Sequence, residues 1–534
     1  MYPIRRWWQS GFARGFGMAL LVSFTPILLA LASCSRNGDG PAPSPPSVEP
    51  TPNLPQRIQL FCGACHENPA PDTLSRAAWK ELIERMYTTY TESGRLLYPP
   101  PILEVVHSYE EKAPEALPPA VIHRADHPFS VNFLRREYPA YTGLPKLAPP
   151  SVSNVNLVHL FDPKKLDILV CDMRGGAVMV LQPYLPDPKW RLLYATGPDR
   201  GFNPAHTEVE DLDGDGIADI LVANLGHLLP TDRRCGSVVW LRGLGQGRFE
   251  PITLLKDKGR IADVQIADFN GDGKRDLLVA SFGWNTVGEI YYLENRTTDW
   301  KKPEFSVNLL DERHGSIHVP IADLNGDGKP DFVALISQEH ETVVAFLNDG
   351  NGRFEEKKTL YKAPHPGYGS SGIQLVDLNG DGKLDVLYTN GDVLDPPYLL
   401  KPYHGVQWLE NKGDWNFEHH PLAPMYGVHR AVAADLDGDG DLDIVASSFL
   451  PSGNFPMRKE QKLDAVIILE QTSPGVFVRH GLETETCDYV SCAVGDLLAR
   501  GKRDIVLGGF ASDPAKAAIV IWENLGKRWI IPLG

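Results

Sequence analysis

Basic residues are in deficit here: 52 Lys and Arg stand against 68 Asp and Glu in 534 residues, a formal charge of −16. A chain without a basic excess gives no support to nucleic-acid binding. Long apolar runs are equally scarce. The one from Met18 to Ala32 is shorter than the roughly 20 residues of a spanning helix and is interrupted by Pro26. There is one Cys-x-x-Cys pair, Cys62 and Cys65, and no second. That removes the four-ligand zinc reading, which needs two more ligands at matching spacing. No nucleophile constellation, phosphate loop or catalytic dyad stands out, so an enzymatic reading has no side-chain catalyst to start from.

What the chain has in quantity is Asp and Gly at fixed spacing. The stretch Asp211, Leu212, Asp213, Gly214, Asp215, Gly216, Ile217, Ala218, Asp219 carries carboxylates at positions 1, 3, 5 and 9 and glycines at 4 and 6. Such spacing curls the backbone until oxygens converge on a hard cation, Ca²⁺ above others, with the position 7 carbonyl as a further donor. An EF-hand would need Glu at position 12 and flanking helices, whereas position 12 here is Val222 in a strand-like run. The expectation is a strand, loop, strand site.

The loop recurs with ligand sets Asp268, Asn270, Asp272, Lys274, Asp276; Asp323, Asn325, Asp327, Lys329, Asp331; Asp377, Asn379, Asp381, Lys383, Asp385; and Asp435, Asp437, Asp439, Asp441, Asp443. Lysine or Ile217 at position 7 would contribute only its carbonyl. Starting offsets of 57, 55, 54 and 58 residues, read from Asp211, Asp268, Asp323, Asp377 and Asp435, mean a repeat architecture. Two damaged copies flank the five: Asp496 and Asp504 keep positions 1 and 9 at one end, and Asp167 alone survives at the other. Each unit also has an apolar strand ending in a polar residue, then a turn and an aromatic, as in Ile290 to Asn295 followed by Phe305. About 55 residues with about four short strands is one propeller blade, so the fold class is mainly β, a seven-bladed propeller over 151–534. In these loops the chain resembles the FG-GAP or VCBS repeat family of calcium-binding propellers. The resemblance implies about five bound Ca²⁺.

The five loops hold 17 of the 68 carboxylates, a number close to the whole net charge, so the acidic excess is site charge. Removing residues 1–33, with three arginines and no acid, leaves −19, and five Ca²⁺ would bring this to −9.

Residues 1–33 read as a bacterial export signal, with Arg5, Arg6 and Arg14 ahead of the apolar run. The ending Leu31, Ala32, Ser33, Cys34 resembles a lipobox. It implies a lipoprotein anchored through Cys34 on the periplasmic side of the envelope, more in keeping with the outer membrane than the inner, or on the cell surface. Residues 34–56 are Pro-rich and read as a tether. Cys62, Gly63, Ala64, Cys65, His66 then gives the spacing for two thioether bonds to haem with an imidazole beneath the iron. The segment 57–118, with a helical period from Pro71 to Met86 and a cap expected at Asp72, resembles a monohaem cytochrome c module, a small all-α domain carrying covalent haem c. His66 would be the fifth ligand. Met86 or His107 would be the sixth, or the position would be open. Residues 119–150 read as an irregular connector.

The innermost strand of each blade presents, five residues before its loop, Asn154, His206, Asp263, His318, Gly372, Arg430 and Ser491 around the channel. His206, His318, Asp263 and Arg430 are the candidate site at one mouth, with hydrated channel residues as the plainer alternative. Cys171, Cys235, Cys487 and Cys492 allow one or two disulfides. The expected function is a lipid-anchored electron-transfer protein whose propeller receives a redox partner protein or a small-molecule substrate. An oxidoreductase with substrate in the channel, or an adhesion or scaffold propeller, are the alternatives. The tryptophan-rich docking pattern of quinoprotein dehydrogenases is missing.

Overall fold

The computed structural model describes residues 52–527 apart from 65, 93–95, 97, 142, 144–147 and 197–199. The export signal, Cys34, most of the tether, Cys65 and Trp529 lie outside the described residues. Among those described, no helix is long and apolar enough to cross a membrane.

Seven sheets form the ring. Six are consecutive four-stranded meanders spanning 152–195, 204–258, 261–311, 316–362, 370–424 and 428–484, the fourth having its first strand broken at Pro320. The second strand of every blade is buried along its whole length, for example Asp219–Asn224 and Asp331–Ile336. That is why these strands read as unbroken apolar runs. Apolar residues of the first strands, such as Val264 and Val319 at 0% exposure, fill the space between neighbouring blades.

The seventh blade departs from the expected order. Its strands Tyr489–Gly495, Asp504–Gly509 and Ala517–Lys527 are completed by Val131–Pro139, antiparallel to the last of them with Phe133 opposite Asn524 and Arg135 opposite Trp522. The connector reading of 119–150 is therefore corrected: the segment contains the strand that closes the ring. Alternation carries it, Val131 being 2% exposed while Asn132 faces out. Arg135 also bridges to Glu483 of blade six at 3.2 Å and to the Tyr489 hydroxyl at 3.2 Å. A carboxylate at this buried position loses its water and the apolar packing of Val131, so Val131→Asp should lower unfolding free energy by about 3–5 kcal/mol in a denaturant titration. An unchanged midpoint would mean that the ring does not depend on this strand.

Among the described residues three α-helices precede the ring: α1 (Leu54–Cys62), α2 (Arg76–Glu92) and α3 (Ile102–Glu110). α1 starts inside what reads as tether. Asn53 and Gln56 form a reciprocal capping box, and Pro55 occupies the first turn where its missing N–H costs nothing. Asp72 lies in a short 3₁₀ turn, Pro71–Thr73, and not at the cap of α2. The helices share a core around Trp79, 1% exposed, whose indole N–H donates to the Pro71 carbonyl at 2.8 Å. Leu399 of blade five packs against this core, and Glu67–Lys362 at 2.6 Å and Arg85–Asp395 at 3.9 Å tie the helices to the ring.

Candidate metal centres and channel site

The five acidic loops share one backbone conformation. Glycines 4 and 6 have φ between 72° and 100° throughout, as at Gly214 and Gly216 or Gly438 and Gly440. A Cβ would strain that geometry although nothing crowds it. In four loops the position 1 carboxylate accepts the N–H groups of positions 5 and 6: Asp211 from Asp215 and Gly216 at 3.1 and 2.8 Å, Asp323 from Asp327 and Gly328 at 3.1 and 2.9 Å. In the fifth loop Asp435 accepts instead from Gly438 at 2.7 Å. Carboxylate oxygens of Asp211, Asp213 and Asp219 lie within 4.8 Å of one another, as do those of Asp435, Asp437 and Asp439. Such donor sets fit a hard cation. Neighbouring bases lean on them: Arg242 reaches Asp213 at 2.6 Å, Lys329 reaches Asp327 at 3.0 Å and Lys383 reaches Asp381 at 2.8 Å. Asn270 and Asn379 donate to Glu294 and Glu410, each at 3.2 Å.

Position 9 carries a second duty. Asp219, Asp276, Asp331, Asp385 and Asp443 are at most 2% exposed, and so are Asp167 and Asp504 of the damaged loops. One oxygen accepts the N–H of position 2 and the other an N–H at the end of the third strand, as in Leu324 to Asp331 at 3.1 Å and Asn348 to Asp331 at 2.7 Å. The side chain of that Asn or Gln returns to the position 8 carbonyl and in three blades reaches into the previous one: Asn348 to Phe269, Gln471 to Leu378 and Asn524 to Leu436. The sequence shows the polar strand end but not this role, whose signal is its recurrence one residue after Glu294, Glu410, Glu470 and Glu523. Burial pushes Asp219 and Asp276 up to about 6 against these stabilising bonds.

The damaged loops place bases differently. Arg500 spans Asp504 at 2.9 Å and Glu523 at 2.6 Å. Lys502 turns to the Leu525 carbonyl, and Lys165 lies over the Tyr184 ring at 5.0 Å. Tyr184 itself donates to Asp167 at 2.8 Å, so a neutral hydroxyl serves there.

At the channel mouth the expected residues converge. His206 Nδ1 is 2.8 Å from Asp263 Oδ1, and His318 Nδ1 is 3.9 Å from Asp263 Oδ2, which accepts the Val319 N–H at 2.9 Å. Arg430 donates to the Ile373 carbonyl at 3.0 Å, and its charge is felt by both histidines. Asn154 pairs with Thr207 at 3.1 Å, a stitch between neighbouring inner strands. Burial opposes the His206 charge, but Asp263 and Glu208 outweigh it and hold His206 above its ordinary value. His318 is pushed down to about 3, by burial first and then by Arg430. Between pH 6.5 and 3 the unfolded chain therefore binds the proton that folded His318 refuses, and stability falls as pH falls. Replacing it, as in His318→Gln, should reduce the loss between pH 7 and pH 4 by about 1–3 kcal/mol in paired denaturant titrations, and an identical profile would contradict the assignment.

Cys62 closes α1, and His66 Nδ1 is 2.8 Å from the Glu67 carbonyl oxygen, which leaves Nε2 for a metal. Met86 is half-buried on α2, and His107 is exposed on α3. Leu60, two residues before Cys62, is 65% exposed, and Leu96, Tyr98 and Leu103 are 101%, 91% and 74% exposed, so this segment leaves apolar side chains uncovered. This donor and surface chemistry fits a porphyrin. Cys171, Cys235, Cys487 and Cys492 are unbonded to one another, and burial pushes the Cys487 thiol up to about 11.

Residues 211–279, 288–388 and 398–446 match the FG-GAP-like repeat family. Cartilage acidic protein 1 of Mus musculus is 22% identical over 304 residues, 52% of this chain and 44% of that protein. A T-cell immunomodulatory protein homolog of Plasmodium yoelii yoelii is 26% identical over 305 residues, 50% of this chain and 41% of that protein. The chain thus spans under half the length of these relatives. A crystal structure of BBS1N in complex with ARL6DN, soaked with lead, superposes at a TM-score of 0.41 with 9% identity, covering 72% of this chain and 96% of that one. Together with the seven sheets and the five loops, the family match identifies residues 211–279, 288–388 and 398–446 as FG-GAP-like repeats of a seven-bladed β-propeller.

Proposed function

We propose that the protein is an exported, lipid-anchored haem carrier for electron transfer whose propeller, stiffened by about five Ca²⁺, is the platform for a redox partner protein or small-molecule substrate. The observation that carries the reading is the Cys62, Cys65, His66 motif at the end of α1, with the His66 ring oriented by the Glu67 carbonyl. Cys62 and Cys65 would hold haem c covalently and His66 would bind the iron, with Met86 or His107 as the sixth ligand. The group supplies reversible one-electron chemistry when bound. The chain's own contribution is position. Glu67–Lys362 and Arg85–Asp395 fix the helices on blades four and five, so a molecule docked there lies beside the motif. Asp211, Asp268, Asp323, Asp377 and Asp435, with their position 3 and 5 partners, would hold the calcium. Cys34 would carry the lipid and place the ring on the periplasmic side of the envelope.

Intact mass and absorption spectra of the purified oxidised and reduced protein test this. A covalent haem lost in Cys62→Ala/Cys65→Ala is expected, and colourless wild-type protein would end the reading. A far-red band lost in Met86→Ala would assign the sulfur ligand, and its absence from the wild type turns to His107. The second reading, an oxidoreductase with substrate in the channel, is favoured by the convergence of His206 and His318 on Asp263. It expects haem reduction by the substrate to vanish in His206→Ala.

A further inference from the structure

Three clusters of histidine and carboxylate stand apart from the acidic loops and the channel: His127 with Glu470 and His480, Glu410 with Glu418 and His420, and His314 with Glu339 and His340. In the second, Lys412 already neutralises Glu410 at 2.9 Å. In the first, His127 is exposed. The third differs. His314 Nε2 lies 2.6 Å from Glu339 Oε2, the two imidazole rings are 5.2 Å apart edge to face, and all the ligand atoms are within 4.8 Å. His340 Nε2 is sealed from solvent and has no hydrogen-bond partner among the described residues. A buried ring nitrogen without a partner costs about 1–3 kcal/mol, so the fold retains it at the expense of stability.

The surroundings hold these groups in place. Gly288 backs onto His314, where a Cβ would stand 2.5 Å from the His314 Cα. Gly315, at φ 89°, donates to the Phe282 carbonyl at 2.8 Å and accepts from Ser337 at 2.8 Å. Glu339 and His340 lie in a hairpin flanked by Gln338 and Glu341, both in the left-handed region at φ 60° and 42°. Such strain persists where neighbouring structure over-determines it, and it gathers at binding sites.

We infer that His314, Glu339 and His340 bind a borderline divalent transition-metal ion, zinc being the probe, with a fourth position left to solvent or a ligand. Two imidazoles and one carboxylate select such an ion over calcium, which prefers oxygen alone. Imidazole and carboxylate bind such an ion in their deprotonated forms, so uptake weakens as the solution is acidified. The site stands independently of the haem reading.

Equilibrium dialysis of the full chain against zinc in saturating calcium, with metal counted by mass spectrometry, tests the inference. Wild type should retain one more zinc than His314→Ala or His340→Ala, the affinity falling by more than the roughly 10–100-fold that loss of an outer partner costs. The milder His340→Gln, checked for fold by circular dichroism, should behave alike, whereas His420→Ala and His480→Ala should keep the ion. The zinc K-edge spectrum should show imidazole and oxygen neighbours. Equal zinc in wild type and His340→Gln, loss only in His480→Ala, or sulfur neighbours in the spectrum would overturn the assignment.

Discussion

Chelation of divalent ions from the purified protein should lower its thermal midpoint by about 15 °C and leave any covalent haem attached. Each filled site that binds only the folded chain contributes about 2.7 kcal/mol at a hundredfold excess over its dissociation constant, or roughly 13 kcal/mol for five. Spread over a folded ring of this size, with an unfolding entropy of about 2.1 cal/mol/K per residue, that amounts to about 15 °C. The direction follows from charge. Without a cation, carboxylates face one another across distances under 4.8 Å in two of the loops, Asp211 with Asp213 and Asp219, and Asp435 with Asp437 and Asp439. The bases nearby compensate unequally: Arg242, Lys329 and Lys383 lean on blades two, four and five, whereas the Asp435 loop has Lys527 no closer than 3.8 Å. Hydrogen exchange in chelator should accordingly rise first around residues 435–443. Differential scanning calorimetry with and without calcium checks the midpoint, and a shift under about 3 °C, the size of a single weak site, would remove calcium from the account.

The acidic loops were legible because every residue that shapes them lies within nine positions of Asp211, and glycine is the residue that tolerates the turns at 4 and 6. The channel cluster was legible for a related reason. The loop fixes the register of the strand entering it, and a period of two then assigns His206, Asp263 and His318 to one face. Ring closure was not, because Val131 pairs with Lys527 at the far end of the chain, and no local pattern reports a partner that distant. The capping box at Asn53 was hidden by the prolines around it, which argue for an extended tether until Pro55 is seen at a first-turn position. The docking pairs Glu67–Lys362 and Arg85–Asp395 join surfaces whose adjacency only the fold decides. The His314 cluster escaped for the same reason, two of its ligands lying in one hairpin and the third in the preceding interblade segment.

Asp167→Ala should cost about 3–5 kcal/mol of unfolding free energy although its loop keeps only one of the acidic positions, because its carboxylate is the acceptor for three groups in a buried corner. Leu160 N–H donates to it at 3.0 Å, Phe161 N–H at 2.8 Å and the Tyr184 hydroxyl at 2.8 Å, and alanine leaves all three unanswered. Positions 1, 3 and 5 have drifted to His159, Phe161 and Pro163 in this blade while position 9 is kept at 0% exposure, the pattern expected if pinning the corner outlives binding the ion. The contrast is Asp323→Ala, whose carboxylate is shared between backbone N–H groups and the proposed ion. In calcium it should cost about 2–3 kcal/mol more than in chelator, where the wild type has already lost that site and the exposed N–H groups of Asp327 and Gly328 turn to water. Denaturant titrations of both variants with and without calcium, beside calcium counts by mass spectrometry, separate the two duties. Asp167→Ala should lose equal stability in both conditions and no calcium; Asp323→Ala should lose one equivalent. A calcium-dependent cost at Asp167 would make blade one a sixth cation site, and a neutral Asp167→Ala would mean that these corners are held by packing alone.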